Sequence, residues 1–81
     1  MNYHCTKDTD LDALVGHDSA SGYCYGPVCD AMRSNEPLLL EESASLSLFT
    51  LAKLRRFLDE VFIPETGERI KATPKFRLIL G

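Results

Sequence analysis

Three consecutive leucines at 38–40 are followed directly by two acidic residues, Glu41 and Glu42. An apolar run with no alternating polar residue is typical of a β-strand that is covered on both faces. Such strands occur in parallel sheets, where helices lie against both faces of the sheet. The triplet therefore predicts a buried strand at 38–42 within an α/β fold.

Helical patterns flank this strand on both sides. Apolar spacing predicts one helical turn at 11–15 and a short helix at 27–34, where Pro27 suits the first helical position. The strongest pattern covers residues 47–60 and predicts a helix with one face in the core and one in solvent. The apolar residues on its core-facing arc are Leu51, Leu54, Phe57, Leu58 and Val61.

Strand patterns complete the alternation. Residues 2–6 predict a short strand, 61–71 predict a β-hairpin with its turn at 64–67, and 76–80 predict a last apolar strand. The turn-rich residues 17–22 predict a loop. Strands that alternate with helices in this order predict a sheet with right-handed crossovers.

The size and composition of the chain restrict its class. Its 81 residues suffice for one small domain of marginal stability, and 44% hydrophobic with 26% charged residues is typical of a globular chain. No apolar run is long enough to cross a bilayer, and the N-terminus does not resemble a secretion signal. We therefore expect a cytoplasmic protein with no membrane contact.

Charge is distributed unevenly along the chain. Residues 1–45 carry two basic and eight acidic side chains, a net charge of −6, whereas residues 46–81 carry seven basic and four acidic ones, a net charge of +3. The two halves can attract each other within one fold, or the basic half can meet an anionic partner. Nucleic-acid binding is not expected, because acidic residues interrupt the basic ones and few aromatic residues lie among them.

The acidic pair after the leucines carries the clearest chemical signal. Ligands of open α/β sheets lie outside the carboxyl ends of the strands, so the pair would face a bound phosphate group. One carboxylate can hold Mg²⁺, directly or through water, while its neighbour polarises an attacking water. The alternative is a strand that simply ends where charged residues reach solvent.

Five segments, in their order and spacing, resemble the middle of the MoxR-type or midasin-like (dynein-related) AAA+ ATPases. The resemblance extends over roughly residues 5–80. The segments that carry it are Thr9–Gly16, Gly26–Arg33, Leu38–Glu42, Leu51–Asp59 and the stretch from Ile63 to Leu78 with its Pro64–Glu68 turn and Ala72–Thr73–Pro74.

The resemblance implies a partial three-layer parallel sheet of the P-loop NTPase type with a β-hairpin insertion. Residues 38–42 would be the Walker B strand, with Glu41 as the Mg²⁺ ligand and Glu42 as the catalytic glutamate. Residues 76–80 would be the sensor strand. Arg69 and Lys71 lie on the hairpin, which in this family often contacts substrates or neighbouring subunits. The parent activity would be ATP hydrolysis that drives remodelling of a partner protein or assembly of a metal cofactor.

The chain also departs from this family. It contains no phosphate-binding G-x-x-x-x-G-K-[ST] loop, Glu41 replaces the usual aspartate, and the polar sensor residue would come after Gly81. We therefore expect residues 1–81 to be one incomplete AAA+ core fragment. ATP and Mg²⁺ would bind the intact family member, whereas the isolated chain would bind no cofactor and have no activity. The alternative is a non-catalytic module that binds protein or nucleic acid through the basic hairpin and helix.

An incomplete core would leave an apolar face or a free strand edge, and such surfaces attract partners. Self-association or binding of a complementary AAA+ segment is therefore expected.

The three cysteines allow a further interpretation. Structural zinc sites use paired ligands two to four residues apart, but Cys29 falls in a predicted helix and no second close pair exists. An odd number of cysteines also excludes a complete disulfide framework within one chain. Buried, reduced thiols are the favoured interpretation, and a catalytic Cys–His pair remains open.

Overall fold

The protein is a mixed α/β structure built on a parallel sheet. A computed structural model describes residues 1–57 and 59–81. Its elements in chain order are β1 (Asn2–His4), α1 (Leu11–Leu14), β2 (Gly16–Ser19), β3 (Gly22–Tyr25), α2 (Pro27–Ser34), β4 (Leu38–Glu41), a 3₁₀ helix (Ser43–Ser45), α3 (Leu48–Arg56), β5 (Glu60–Ile63), β6 (Glu68–Lys71) and β7 (Leu78–Leu80).

The largest sheet contains β1, β4 and β7 in that order, and both pairings are parallel. The leucine strand β4 is therefore central: Leu39 pairs with Asn2 on one side and with Ile79 on the other. The predicted parallel α/β sheet is confirmed in this part of the chain, with the two other sheets formed by antiparallel hairpins.

The two faces of this sheet differ in burial. Leu38 and Leu40 point to one face and are completely buried in the hydrophobic core, together with Met32 of α2. Leu39 points to the other face and is only half-buried, and its neighbour Ile79 is 48% exposed. The expected burial of the leucine strand is thus found in full on one face and in part on the other.

Helix α2 begins and ends as the sequence predicts. Gly26 is the N-cap, Pro27 occupies the first helical position, and Asn35 closes the helix in the left-handed conformation. Short polar residues such as Asn tolerate that conformation, which lets the last carbonyls of the helix receive hydrogen bonds.

Helix α3 is shorter than predicted. The Ser47 hydroxyl caps it by accepting a hydrogen bond of 3.1 Å from the Thr50 amide, but the helix ends at Arg56 rather than at residue 60. Glu60 already belongs to β5, where it pairs with Lys71, and a residue in a strand ladder cannot continue a helix. The predicted contribution of Leu58 to the helix lies outside the described residues. In the described ranges no helix is long and apolar enough to cross a membrane.

The β5–β6 hairpin confirms the prediction for residues 61–71. Val61 pairs with Ile70, and both face the core, whereas Phe62 pairs with Arg69 on the exposed face. Gly67 has φ of +73°, which a glycine adopts without steric cost, and its amide donates to the Ile63 carbonyl at 2.8 Å. The β-branched and aromatic residues at 61–63 and the turn residues at 64–67 are the sequence signal that predicts this hairpin.

A second hairpin, formed by β2 and β3, occupies the region where a loop was predicted at 17–22. That prediction was wrong, because His17 and Asp18 are exposed on β2 and give no apolar alternation. Gly16 enters the hairpin with φ of +145°, and a Cβ at this position would lie 2.6 Å from the Cys24 carbonyl oxygen. Only glycine allows that close approach of two backbones.

Three strands of the parallel sheet are shorter than predicted. β1 ends at His4 rather than at residue 6, and β4 ends at Glu41 rather than at Glu42. β7 begins at Leu78 rather than at residue 76, because Phe76 belongs to a turn in which its amide donates to the Thr73 carbonyl at 3.0 Å.

Candidate functional site

The acidic pair lies at the carboxyl end of the central strand. Glu41 is the last residue of β4 and pairs in register with His4 of β1. The Glu41 carbonyl accepts a hydrogen bond of 2.8 Å from the Cys5 amide, so its backbone is held within the sheet. Glu41 and Glu42 are both exposed, so a ligand in solution can reach their carboxylates.

Glu42 has an unusual backbone conformation. Its φ of +60° and ψ of +39° lie in the left-handed region, and its carbonyl accepts from the Ser45 amide at 2.9 Å as the 3₁₀ helix begins. A non-glycine residue in this region costs roughly 1–2 kcal/mol. Such strain clusters at active sites and ligand clamps, so it is a reason to examine Glu42 for function.

The end of β7 is fixed beside the acidic pair. The Gly81 amide donates to the Leu40 carbonyl at 2.9 Å, and the Gly81 main-chain oxygen accepts from the Ser43 amide at 3.1 Å and from the Ser43 hydroxyl at 2.7 Å. A Cβ on Gly81 would lie 3.8 Å from the Cα of Glu41. The carboxyl ends of β4 and β7 therefore meet where the two glutamates emerge.

The donor set at this edge suits Mg²⁺ only in part. Mg²⁺ is usually bound by one or two carboxylates, with waters and substrate phosphates completing the octahedron. Neither Glu41 nor Glu42 forms a side-chain hydrogen bond or ion pair within residues 1–57 and 59–81. No group of three or more His, Cys, Asp and Glu side chains in those ranges could hold a metal by itself. The two glutamates could therefore supply the protein's share of a phosphate-bound Mg²⁺.

Arg69 and Lys71 lie on a different sheet from the acidic pair, on the exposed face of β6. Arg69 forms an ion pair of 3.4 Å with Glu60, and its Cζ lies 5.2 Å from the centroid of the Phe62 ring. Lys71 pairs in register with Glu60. The structure thus places the two predicted interaction residues side by side on one surface of the hairpin, away from the sheet that carries Glu41.

A polar cluster that the sequence did not indicate joins β3, α2 and β6. Arg33 Nη2 lies 2.5 Å from Glu68 Oε2, the Tyr25 hydroxyl donates to Glu68 Oε1, and the Arg33 guanidinium lies 4.1 Å above the Tyr25 ring. The hydrogen bond from Tyr25 and the charge of Arg33 lower the pKa of Glu68. Tyr25 and Glu68 are 43 positions apart in the sequence, so no local spacing of residues could have indicated this cluster.

Two of the three cysteines are buried, as the sequence predicts, and the third is not. Cys5 and Cys29 are buried, whereas Cys24 is exposed on β3. Burial raises the pKa of Cys5 and raises that of Cys29 to about 11, so both thiols stay protonated at neutral pH. A protonated, buried thiol is a poor nucleophile and a poor metal ligand.

No protein-family model and no curated protein matches this chain. A functional assignment therefore depends on the geometry of the described residues.

Proposed function

We propose that this chain supplies the acidic-pair part of an AAA+ ATPase core with the P-loop NTPase type of sheet. The observation that carries the proposal is the position of Glu41, the last residue of the central strand in a parallel sheet, followed at once by Glu42. This is the edge at which α/β proteins bind their ligands. In the proposal β4 is the Walker B strand, β7 the sensor strand and β5–β6 the inserted hairpin.

The two glutamates take different roles in this proposal. Glu41, held by the β1–β4 ladder, binds Mg²⁺ directly or through water. Glu42, one residue further, accepts a hydrogen bond from the attacking water and orients it toward the γ-phosphate. Phosphoryl transfer depends on positioning and on neutralising phosphate charge rather than on covalent chemistry by the protein. The strained backbone of Glu42 supports this assignment, since it sets the direction of the side chain at an energetic cost.

The phosphate-binding loop would have to come from another segment. The 81 residues contain no G-x-x-x-x-G-K-[ST] sequence, and ATP hydrolysis requires a cradle for the β- and γ-phosphates. We propose that a complementary AAA+ segment supplies this loop and packs against the open face that Leu39 and Ile79 share; a second copy of the chain could cover the same face but would bring no such loop. A half-exposed apolar face next to a strand edge favours such association.

The first experiment measures Mg–ATP binding and hydrolysis by the chain as given. No hydrolysis above background and no tight binding are expected, because the phosphate cradle is missing. If this chain alone bound Mg–ATP at micromolar concentration, the proposal that a separate segment supplies the phosphate-binding loop would be wrong.

The second experiment examines the coding sequence directly upstream, which we expect to encode a glycine-rich Lys-Ser/Thr loop. In the longer product, Glu42→Gln should lower kcat by a factor of about 100 to 10,000, as expected for a group that activates water. Glu36→Gln, an exposed acid outside the site, is the matched control and should leave kcat unchanged. Equal activity of the two variants would exclude the proposed role of Glu42.

The exposed face of the β5–β6 hairpin supports a second candidate, a non-catalytic binding module. Phe62 is 50% exposed there and lies beside Arg69, whose side chain is 66% exposed. Phenylalanine and arginine are both enriched in the cores of protein interfaces. Glu60 offsets the charge of Arg69, which favours a protein partner over nucleic acid. If the upstream sequence encodes no phosphate loop, this candidate replaces the ATPase proposal.

A further inference from the structure

A pocket of about 140 Å³ lies between α1, the β2–β3 hairpin and the β5–β6 hairpin. Its wall is largely apolar and aromatic, with Val15, Phe57, Phe62 and Ile63 among the lining residues. Pockets that bind drug-sized ligands have volumes of about 300–1,000 Å³, so this pocket suits only a smaller ligand. It is separate from the sheet edge that carries Glu41.

The charged groups that line the pocket have one sign. Asp12 of α1 and Glu65 of the hairpin turn are its only charged lining residues within the described ranges, and neither forms an ion pair there. An apolar pocket with two unpaired carboxylates at its rim complements a ligand that combines a positive charge with a short apolar body.

Tyr23 supplies a polar group in the same wall. It is half-buried, and its ring packs edge-on against Tyr25 with the centroids 5.0 Å apart, which limits its orientation. Burial, reinforced by the carboxylate of Glu65, raises the pKa of the Tyr23 phenol to about 12. The phenol therefore stays neutral at physiological pH, and its oxygen can accept a hydrogen bond.

The Phe62 ring holds a cation of the chain itself on the exposed face of the hairpin, and Arg69 is not among the residues that line the pocket. The Arg69 guanidinium lies 5.2 Å from the centroid of the Phe62 ring, while its charge is partly offset by Glu60 at 3.4 Å. Aromatic faces hold cations by attraction to the ring quadrupole. The chemistry needed for an ammonium ligand is thus present at the pocket, in carboxylates, rings and a phenol oxygen.

We propose that this pocket binds a small alkylammonium ion. The alkyl chain packs against Val15, Phe57 and Phe62, and the ammonium group lies between the carboxylates of Asp12 and Glu65, with the Tyr23 oxygen as a further acceptor. An ammonium has three donors and no acceptor, which matches a rim made of acceptors. The proposal does not depend on the ATPase assignment.

The test titrates the folded chain with n-butylammonium and follows its backbone amides by NMR. We expect shifts confined to residues of the pocket wall, such as Gly16, Tyr23 and Glu65, with a dissociation constant of about 1–10 mM for a ligand of this size. n-Butanol tests the apolar contribution alone and should bind at least fivefold more weakly. Nα-acetyl-lysine amide tests whether the ammonium can come from a protein side chain.

Charge-neutral variants test the role of the rim. Asp12→Asn with Glu65→Gln should weaken n-butylammonium binding at least fivefold and leave n-butanol binding unchanged. Asp8→Asn with Glu36→Gln removes the same charge outside the pocket and should change neither. All four substitutions are at exposed positions, and the amide spectrum reports directly whether each variant is folded. Equal binding of butanol and butylammonium, or equal loss in both double variants, would overturn the proposal.

Discussion

The Ser43 hydroxyl donates a hydrogen bond of 2.7 Å to the main-chain oxygen of Gly81, across 38 positions of sequence. This bond joins the carboxyl ends of β4 and β7, next to the acidic pair. Ser43→Ala should lower the free energy of unfolding by about 1 kcal/mol, because Ser43 is buried and the Gly81 oxygen would lose one of two donors. Urea denaturation measures this change. Ser45→Ala, at an exposed position of the same 3₁₀ helix, should have a smaller effect.

The left-handed conformation of Glu42 leads to a prediction of the opposite sign. Glu42→Gly should raise the free energy of unfolding by about 0.5–1 kcal/mol, since relief of strain outweighs the greater flexibility of glycine in the unfolded chain. Glu36→Gly is the control and should destabilise the protein, because Glu36 has no positive φ. Thermal unfolding of both variants decides the sign. A loss of stability in Glu42→Gly would mean that this backbone is not strained.

The Tyr25–Arg33–Glu68 cluster predicts a dependence of stability on pH. The pKa of Glu68 is lower in the folded state, so its contribution is present above the pKa of an unfolded glutamate, about 4.3. That contribution is lost as the pH falls through the lower folded value. Glu68→Gln should therefore flatten the decline of stability below about pH 4.3, measured by urea unfolding across a pH series. Glu36→Gln, which lies outside the cluster, should retain the decline.

Thiol reactivity distinguishes the three cysteines. Cys24 is exposed and should react with a thiol reagent in the folded protein, whereas Cys5 and Cys29 should be protected by burial and by their raised pKa values. Timed alkylation with mass spectrometry should show one fast modification and two that appear only in denaturant. Fast modification of Cys29 in the folded protein would contradict the burial of this α2 residue in the core.

Strong local patterns were read correctly from the sequence. The leucines of β4 fix the local structure through burial, and Pro27 at the start of α2 does so through its restricted backbone angle. The β5–β6 hairpin follows from the β-branched and aromatic residues at 61–63 and from the turn residues after them. The position of Glu41 at the end of a parallel strand followed from the same reasoning.

Features that depend on distant partners were not predictable in this way. The end of α3 at Arg56 depends on the pairing of Glu60 with Lys71, which the helical pattern of the preceding residues conceals. In the β2–β3 hairpin, β2 has polar, exposed residues after Gly16 and no apolar period. In β3 the half-buried Tyr23 and Tyr25 alternate with exposed Gly22 and Cys24, but four residues are too short a signal without the partner strand. The strain at Glu42 arises where the chain turns from β4 into the 3₁₀ helix, and no residue preference for glutamate would indicate it.

The central claim is that Glu41 and Glu42 form a cation-binding edge of the parallel sheet. Mn²⁺ can replace Mg²⁺ at carboxylate and phosphate ligands, and its unpaired electrons broaden NMR signals of nearby amides. Without a phosphate the two carboxylates bind the ion only weakly, so the test uses millimolar Mn²⁺, at which we predict selective broadening at Cys5, Glu42, Ser43 and Gly81. The broadening should disappear in the variant with Glu41→Gln and Glu42→Gln. Broadening centred elsewhere, or unchanged in that variant, would contradict the account.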